Sequence, residues 1–255
     1  KNKPKFSLED IQTEIKRRVI DNFATQHRAV TKEDYITRVY ALPAKYGNIA
    51  KSYIVQDTQL DSQSGANADA RIINPLALNL YVLGFDGSKK LTTVNQAVKE
   101  NLQTYLTQFR MVTDAVNIKN AFVINIAVRF NLLTKIGYNK EEVVLIAIQR
   151  IKEFFNIDKW QIGQPIVVAD LAYQLSLVDG VSAVVPPEED NPRGHPVVVS
   201  NKFETSKGYS GNAYDVDSAT QNGVIYPSLD PSIFELKFPG ADIEGRVIGD
   251  SSGGS

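Results

Sequence analysis

The sequence contains no cysteine and only two histidines among its 255 residues. The absence of cysteine excludes disulfide bonds, thiol nucleophiles and cysteine-ligated metal sites. No apolar run approaches the roughly 20 residues that a helix needs to cross a bilayer, and no secretory signal pattern opens the chain. We therefore predict a protein without a membrane partner.

An excess of charge of one sign is also missing. Lys and Arg together number 28 and Asp and Glu 29, which gives a formal net charge of -1. A protein that binds nucleic acid usually carries a basic stripe, and the densest basic stretches here are Lys1–Lys5 and Lys16–Arg18. The first is at an end of the chain, and the second fits the solvated face of a helix. We therefore predict no nucleic-acid partner.

Specific catalytic and cofactor motifs are absent as well. The chain has no P-loop and no dinucleotide-binding glycine string. Gly208–Gly211 lacks the G-x-S-x-G spacing of a serine-nucleophile turn, and Glu188–Asp190 lacks the glycine and ligand spacing of a calcium loop. His27 and His195 lie in separate polar segments, where a solvated role is expected rather than a metal ligand or a lone general base. We predict no catalytic residue, no metal, no cofactor and no enzyme activity.

The first strong pattern is an amphipathic helix at Ser7–Phe23. Its apolar residues recur every three or four positions and are Leu8, Ile11, Ile15 and Val19. Such a face must pack against an apolar surface, either the core of this chain or a neighbouring subunit. Periodicity alone favours the first alternative, and the second makes these four residues candidate subunit contacts.

The next helix has a clear start. Thr31 is a good N-cap, and Asp34 stands three residues later, where its carboxylate can bind the Thr31 amide in a capping box. Further helices are predicted at Thr93–Phe109, Asn139–Phe155 and Val168–Val178. The core stripe of the Asn139 helix is predicted to be Val144, Ile148, Ile151 and Phe155.

Strand patterns lie between these helices. They occur at Ser52–Gln56, Ala77–Leu83, Ala121–Leu132 and Val181–Val185. This arrangement predicts an α+β fold, a mostly antiparallel sheet with helices on one face.

Composition changes at Pro186, after which Gly, Ser, Asn and Asp dominate. We predict a loop-rich β region over residues 186–255 that ends in a flexible tail, after an N-terminal helix and linker (1–28) and an α+β core (29–185). Phe234, Leu236 and Phe238 alternate with charged residues as in a strand. The exposed side of such an arm makes these three further candidate subunit contacts.

Four short strings carry a resemblance to a known family. They are Ala29–Tyr35, Arg110–Asp114, Gly163–Ile166 and Asp179–Val181. Their order resembles the baseplate J-like family of contractile phage tails over residues 29–185. The longer stretch 29–250 is similar to the large baseplate wedge subunit of myovirus tails.

This resemblance implies a structural protein of the virion. Such subunits form homodimers, bind other baseplate wedge proteins and link wedges into a ring around the central hub, which rearranges when the sheath contracts. The resemblance implies a location in the tail baseplate after assembly in the host cytoplasm. Because the chain begins with Lys1, we expect a C-terminal fragment of such a subunit.

Two other functions stay open on the sequence alone. The first is an enzyme whose active site is assembled from scattered residues, with a perturbed carboxylate beside His27 or His195. The second is a carbohydrate- or host-surface-binding tail module, for which Tyr209, Tyr214 and Tyr226 are the candidate aromatic residues.

Overall fold

A computed structural model describes residues 28–56, 77–111, 115–189 and 191–250. Within these ranges the helices are α1 (Lys32–Tyr40), α2 (Gln96–Thr107), α3 (Lys140–Phe154), α4 (Val168–Ser176), α5 (Val216–Ala219) and α6 (Pro239–Asp242). The strands are β1 (Lys51–Gln56), β2 (Ala77–Phe85), β3 (Leu91–Thr92), β4 (Ala115–Asn120), β5 (Phe122–Thr134), β6 (Ile166–Val167), β7 (Val181–Val185), β8 (Val197–Asn201), β9 (Thr220–Gln221), β10 (Val224–Ile225), β11 (Ser232–Glu235) and β12 (Ile243–Asp250). The predicted helix at Ser7–Phe23 and the tail at Ser251–Ser255 lie outside the described residues.

The described residues form two compact units. The first takes those up to Lys89 together with Thr93–Asn120, and the second takes Lys90–Thr92 and the chain from Ala121 onward. The division predicted at Pro186 differs from this arrangement. Strands β8, β11 and β12 follow Pro186 in sequence, yet all three pair with β5, which precedes it. The region after Pro186 therefore completes the sheet of the second unit.

In the first unit, β2 lies between β1 and β4. β1 runs antiparallel to β2 with Ile54 opposite Leu80, and β4 runs parallel to β2 with Ile118 opposite the same residue. Helices α1 and α2 pack against each other and against this sheet. The buried core between them includes Ala29, Tyr35, Val39, Ile54, Leu80, Val82, Leu102, Leu106 and Val116.

The start of α1 has the predicted capping box. Thr31 Oγ1 accepts a hydrogen bond from the Asp34 amide at 3.2 Å, and Asp34 Oδ2 accepts one from the Thr31 amide at 2.9 Å. The backbone hydrogen bonds that Asp34 accepts hold the pKa of its carboxyl below the usual range. The start predicted for α2 is wrong by two residues, because Asn95 and not Thr93 accepts the hydrogen bond from the Val98 amide.

In the second unit, β5 is the central strand. On one side of β5, β11 pairs in parallel with its first half and β12 pairs in parallel with its second half. On the other side, β8 and then β7 pair with β5 in the antiparallel direction. Helices α3 and α4 pack against each other. α3 also packs on β5 and β12, and α4 packs on β7 and β8. A small separate sheet has the order β6-β10-β9. The α+β class is confirmed, and most strand pairs are antiparallel, but β2–β4, β5–β11 and β5–β12 are parallel.

Candidate interaction surfaces

The candidate contacts near β11 have different surroundings. Phe234 and Leu236 are buried, whereas Phe238 is 40% exposed. The strand ends at Glu235 and all four of its residues are buried, so Leu236 and Phe238 lie beyond the strand that the alternation predicts. Packing inside the second unit accounts for Phe234 and Leu236, and Phe238 is left at the surface. Leu8, Ile11, Ile15 and Val19 lie outside the described residues.

Phe238 is held in place by a buried carboxylate. Asp242 accepts hydrogen bonds from the Phe238 amide at 2.7 Å and from the Tyr209 hydroxyl at 2.6 Å. The rings of Tyr209 and Phe238 meet edge to face with their centres 5.4 Å apart. Desolvation, followed by the hydrogen bond to Asp242, raises the pKa of Tyr209 to about 12. The exposed Phe238 ring is therefore fixed by the same contacts that order this loop.

Glu235 is a buried carboxylate at the end of β11, and both of its oxygens have donors. Oε1 accepts a hydrogen bond from the Leu91 amide at 2.8 Å, and Oε2 accepts one from Asn125 Nδ2 at 2.9 Å. Burial raises the pKa of Glu235, and these two hydrogen bonds oppose that shift. Asn125 Oδ1 in turn accepts from the Ser210 amide at 2.8 Å. The carboxylate therefore joins three segments of the second unit.

The same carboxylate lies at a cleft of about 280 Å³, whose lining includes Lys90, Lys152, Glu153 and Asn156. His195 lines a different cavity, of about 20 Å³, and its Nε2 atom is buried with no hydrogen-bond partner among the described residues. The structure therefore does not bring His195 and the perturbed carboxyl of Glu235 together. His27 lies outside the described ranges.

The acidic turn before residue 190 faces arginine side chains. Glu188 and Glu189 line a cleft of about 320 Å³ together with Arg129 and Arg246. Glu189 lies 4.0 Å from Arg129, which also contacts Glu244 at 3.2 Å. In the part of the chain that the structure describes, no group of three or more His, Asp or Glu residues could hold a metal ion. Nor is any helix there both long and apolar enough to span a bilayer.

The three tyrosines that the carbohydrate-binding alternative requires do not form an exposed platform. The Tyr209 hydroxyl binds Asp242, and the Tyr214 hydroxyl donates to the Tyr226 carbonyl oxygen. The Tyr214 ring packs edge to face on buried Phe234. Tyr226 is the exposed residue of the three, with 49% of its surface accessible.

A surface that the sequence interpretation missed lies on α3 and α4. The residues of α3 that are buried are Val143, Ala147 and Ile151. The predicted core stripe is confirmed at Ile151 and at Phe155, which is buried as well, and is wrong at Val144 and Ile148. Both of these predicted core residues are half-buried. The large apolar side chains exposed in the turn before α3, on α3, on α4 and at the C-cap of α4 are Ile136, Tyr138, Leu145, Ile146, Tyr173 and Leu177. We call these six residues the helical face.

The signal for the helical face was present in the sequence. Val143–Ile148 is a run of six apolar residues. Successive residues of an α-helix point about 100° apart, so six of them surround the whole helix. A sheet and one neighbouring helix cannot cover all of these directions, and the remainder faces solvent.

Comparison with known proteins gives a structural likeness and no sequence family. No family model matches the chain, and no curated protein matches it in sequence. Among solved structures, the chain is similar to a chain of the anti-feeding prophage baseplate, determined by cryo-electron microscopy with six-fold symmetry. The TM-score is 0.53 with 12% sequence identity, over 88% of this chain and 41% of that chain. This protein therefore has the fold of part of a baseplate chain and spans about two fifths of its length.

Proposed function

We propose that this chain is a structural subunit of the baseplate of a contractile tail. The observation that carries the proposal is the likeness to the anti-feeding prophage baseplate chain over 88% of its residues. The ordered strings at Ala29–Tyr35, Gly163–Ile166 and Asp179–Val181 support the same assignment independently, because they come from sequence and not from the fold. We assign the chain to the baseplate J-like family and to the wedge.

In this role the protein acts by binding and not by catalysis. It forms homodimers and binds other wedge proteins, which links the wedges into a ring around the hub. Contacts of this kind require apolar surface that the isolated subunit leaves exposed. The helical face and Phe238 supply such surface in the second unit. A near-neutral net charge of -1 is compatible with many copies packed side by side, because their mutual repulsion is weak.

We also propose when the subunit is made and where it is located. The subunit is made late, assembles in the host cytoplasm and is retained in the virion at the tail baseplate, where the ring rearranges when the sheath contracts.

Immunoelectron microscopy of contractile particles from the source of this sequence tests the proposal. Antibody raised against the full chain is expected to label the baseplate end of each tail. Preimmune serum is the control, and antibody against a sheath protein marks the tail shaft. Particles that carry no label, or that carry it only along the shaft, contradict the assignment.

A further inference from the structure

We infer that Asn222 is a site of covalent modification, at which the side-chain amide is lost through a cyclic imide formed with the main chain. The inference is independent of the proposed function. It rests on the chemistry of the Asn222–Gly223 pair and on where the fold places that pair.

The Asn222–Gly223 pair forms the loop of a two-residue hairpin. Gln221 on β9 pairs with Val224 on β10, which leaves these two residues between the strands. Their φ angles are 53° and 77°, and two positive φ angles in such a loop are those of a type I′ turn, for which Asn-Gly is a preferred sequence. Asn222 is exposed, and a methyl group placed on Gly223 would meet no atom of the described residues within 4 Å. Solvent therefore reaches the pair.

The sequence contains this pair once, since no other asparagine is followed by glycine. The amide carbon of asparagine, Cγ, is placed so that attack by the next backbone nitrogen closes a five-membered ring. Glycine at that next position has no side chain to obstruct the attack. Asn222 is therefore the asparagine of this chain that is most susceptible to reaction with its own backbone.

The reaction conserves atoms and requires water alone. The Gly223 nitrogen attacks Cγ of Asn222, the bond from Cγ to the amide nitrogen breaks, and that nitrogen leaves as ammonia with the proton of the Gly223 amide. Water then opens the imide. Cleavage of the new bond to Cγ gives aspartate, and cleavage of the bond to the main-chain carbonyl carbon gives isoaspartate, whose chain runs through Cβ and Cγ. Nothing is oxidised or reduced.

The closed turn holds the two reacting atoms apart. Ring closure requires the Gly223 nitrogen to eclipse the Cα–Cβ bond of Asn222, whereas a type I′ turn places that nitrogen on the far side of the residue. The hairpin must therefore open before the imide can form. β9 and β10 have two residues each, and so short a pairing costs little to separate. The rate of modification is then set by how often this hairpin is open.

The two products leave the turn in different states. Aspartate tolerates a positive φ as asparagine does, so it preserves the turn. Isoaspartate adds a methylene group to the main chain, which a two-residue loop cannot absorb while Gln221 stays opposite Val224. The Gly223 carbonyl oxygen accepts a hydrogen bond from the Val168 amide at 2.9 Å, at the start of α4. The isoaspartyl form is therefore expected to lose this contact.

Incubation of the full chain at mildly alkaline pH, followed by tryptic digestion and mass spectrometry, tests the site. Fragment 208–237 is expected to convert to the acid at Asn222 with a matching release of ammonia, and isoaspartyl methyltransferase is expected to label it. Asn212 is the control in the same fragment, because Ala213 follows it and its Nδ2 donates to the Val123 carbonyl oxygen at 2.8 Å. Equal conversion at Asn212 overturns the inference. So does an Asn222 that stays intact after a synthetic peptide of residues 219–226 has fully converted.

The opening step has its own test. Val224→Gly weakens β10 and is expected to speed the conversion towards the rate of the peptide. Val198→Gly on β8 is the matched control, because both valines are half-buried strand residues, and it should leave the rate unchanged. Equal rates in the wild type and in Val224→Gly overturn the opening step.

Hydrogen exchange of the Val168 amide tests the consequence. Exchange should be faster in the separated isoaspartyl form than in the wild type, and unchanged in Asn222→Asp. An isoaspartyl form whose Val168 amide exchanges at the wild-type rate overturns the predicted loss of the contact.

Discussion

Asn125 on β5 donates a hydrogen bond to the carboxylate of Glu235 on β11, at 2.9 Å, from the directly paired position of the neighbouring parallel strand. Both residues are buried. A charged group inside a folded unit is costly unless its oxygens have donors, and here the second donor is the Leu91 amide. This pair therefore determines how β11 and the segment Lys90–Thr92 are held in the second unit.

We expect Glu235→Gln to lower the free energy of unfolding by about 1–3 kcal/mol, the cost of leaving buried polar groups unpaired. The Asn125 amide cannot turn to compensate, because its Oδ1 already accepts from the Ser210 amide. A glutamine amide would therefore place its own NH₂ group against either Asn125 Nδ2 or the Leu91 N–H. Urea unfolding followed by circular dichroism measures the difference. Glu204→Gln, at a surface ion pair with Lys207, should change stability by less than about 1 kcal/mol.

The same residue predicts a pH dependence. Burial raises the pKa of Glu235, so the folded unit holds this proton more tightly than the unfolded chain does. The stabilisation from that proton is fully present below an unfolded pKa of about 4.3 and is lost as pH rises through the folded pKa. The stability of the wild type relative to Glu235→Gln should therefore fall as pH increases across this window. A difference between the two proteins that stays constant with pH, in parallel urea titrations, contradicts this.

Tyr209 predicts a second pH effect at the alkaline end. Its pKa is raised to about 12 by desolvation and by Asp242. Its contribution to stability is present below an unfolded pKa of about 10 and is lost as pH rises through the folded value. Burial also raises the pKa of Tyr214, so phenolate absorbance of the folded protein should show one late-titrating tyrosine fewer in Tyr209→Phe than in the wild type. An unchanged number of late-titrating tyrosines contradicts the prediction.

Gly245 predicts an effect of packing. It pairs with Phe130 across β12 and β5, and an added methyl group would lie 2.6 Å from the Phe130 ring, which is fully buried. Gly245→Ala should cost about 1–3 kcal/mol, as overpacking of a core does. Gly249→Ala in the same strand is the matched control, because its methyl group would meet Leu133 at 3.4 Å. Equal unfolding midpoints for the two variants would contradict the prediction.

Thr31 allows a test in the first unit. Thr31→Ala removes the acceptor of the Asp34 amide and should lower stability by about 1 kcal/mol. Thr37→Ala, inside the same helix, should be neutral or slightly stabilising because alanine is the better helix former. Thermal unfolding of the two variants beside the wild type measures both. A larger loss for Thr37→Ala than for Thr31→Ala would show that the cap is not the important contact.

Features that depend on neighbours in sequence could be predicted. The Thr31 cap, the Asn139 cap of α3 and the strand Val181–Val185 are present as expected, because each depends on a few consecutive residues. Strand β12 was not predicted, since its sequence Ile243–Asp250 contains two glycines and becomes a strand by pairing with β5. The three parallel pairs, β2–β4, β5–β11 and β5–β12, are not predicted either, because alternating side chains look the same in either strand direction.

The candidate surfaces show the same limit. Alternation predicts a strand through Phe238 with Phe234 and Leu236 on an exposed side, whereas the structure buries both residues and covers both faces of β11. Val144 and Ile148 are predicted as core and are half-buried, because the number of layers around a helix is a property of the whole unit. No local pattern distinguishes a helix with a second protein layer from one without it.

The position of β5 in the chain has a consequence for how the protein is made. Arg129 and Glu244 bind each other although they are 115 residues apart in sequence. A ribosome therefore exposes β5 long before it has synthesised its last partner strand, and its unpaired edge is open to other nascent chains in the meantime. The fraction of newly made chains that reaches the native state would then depend on how fast translation proceeds to Asp250, or on a chaperone that shields this strand.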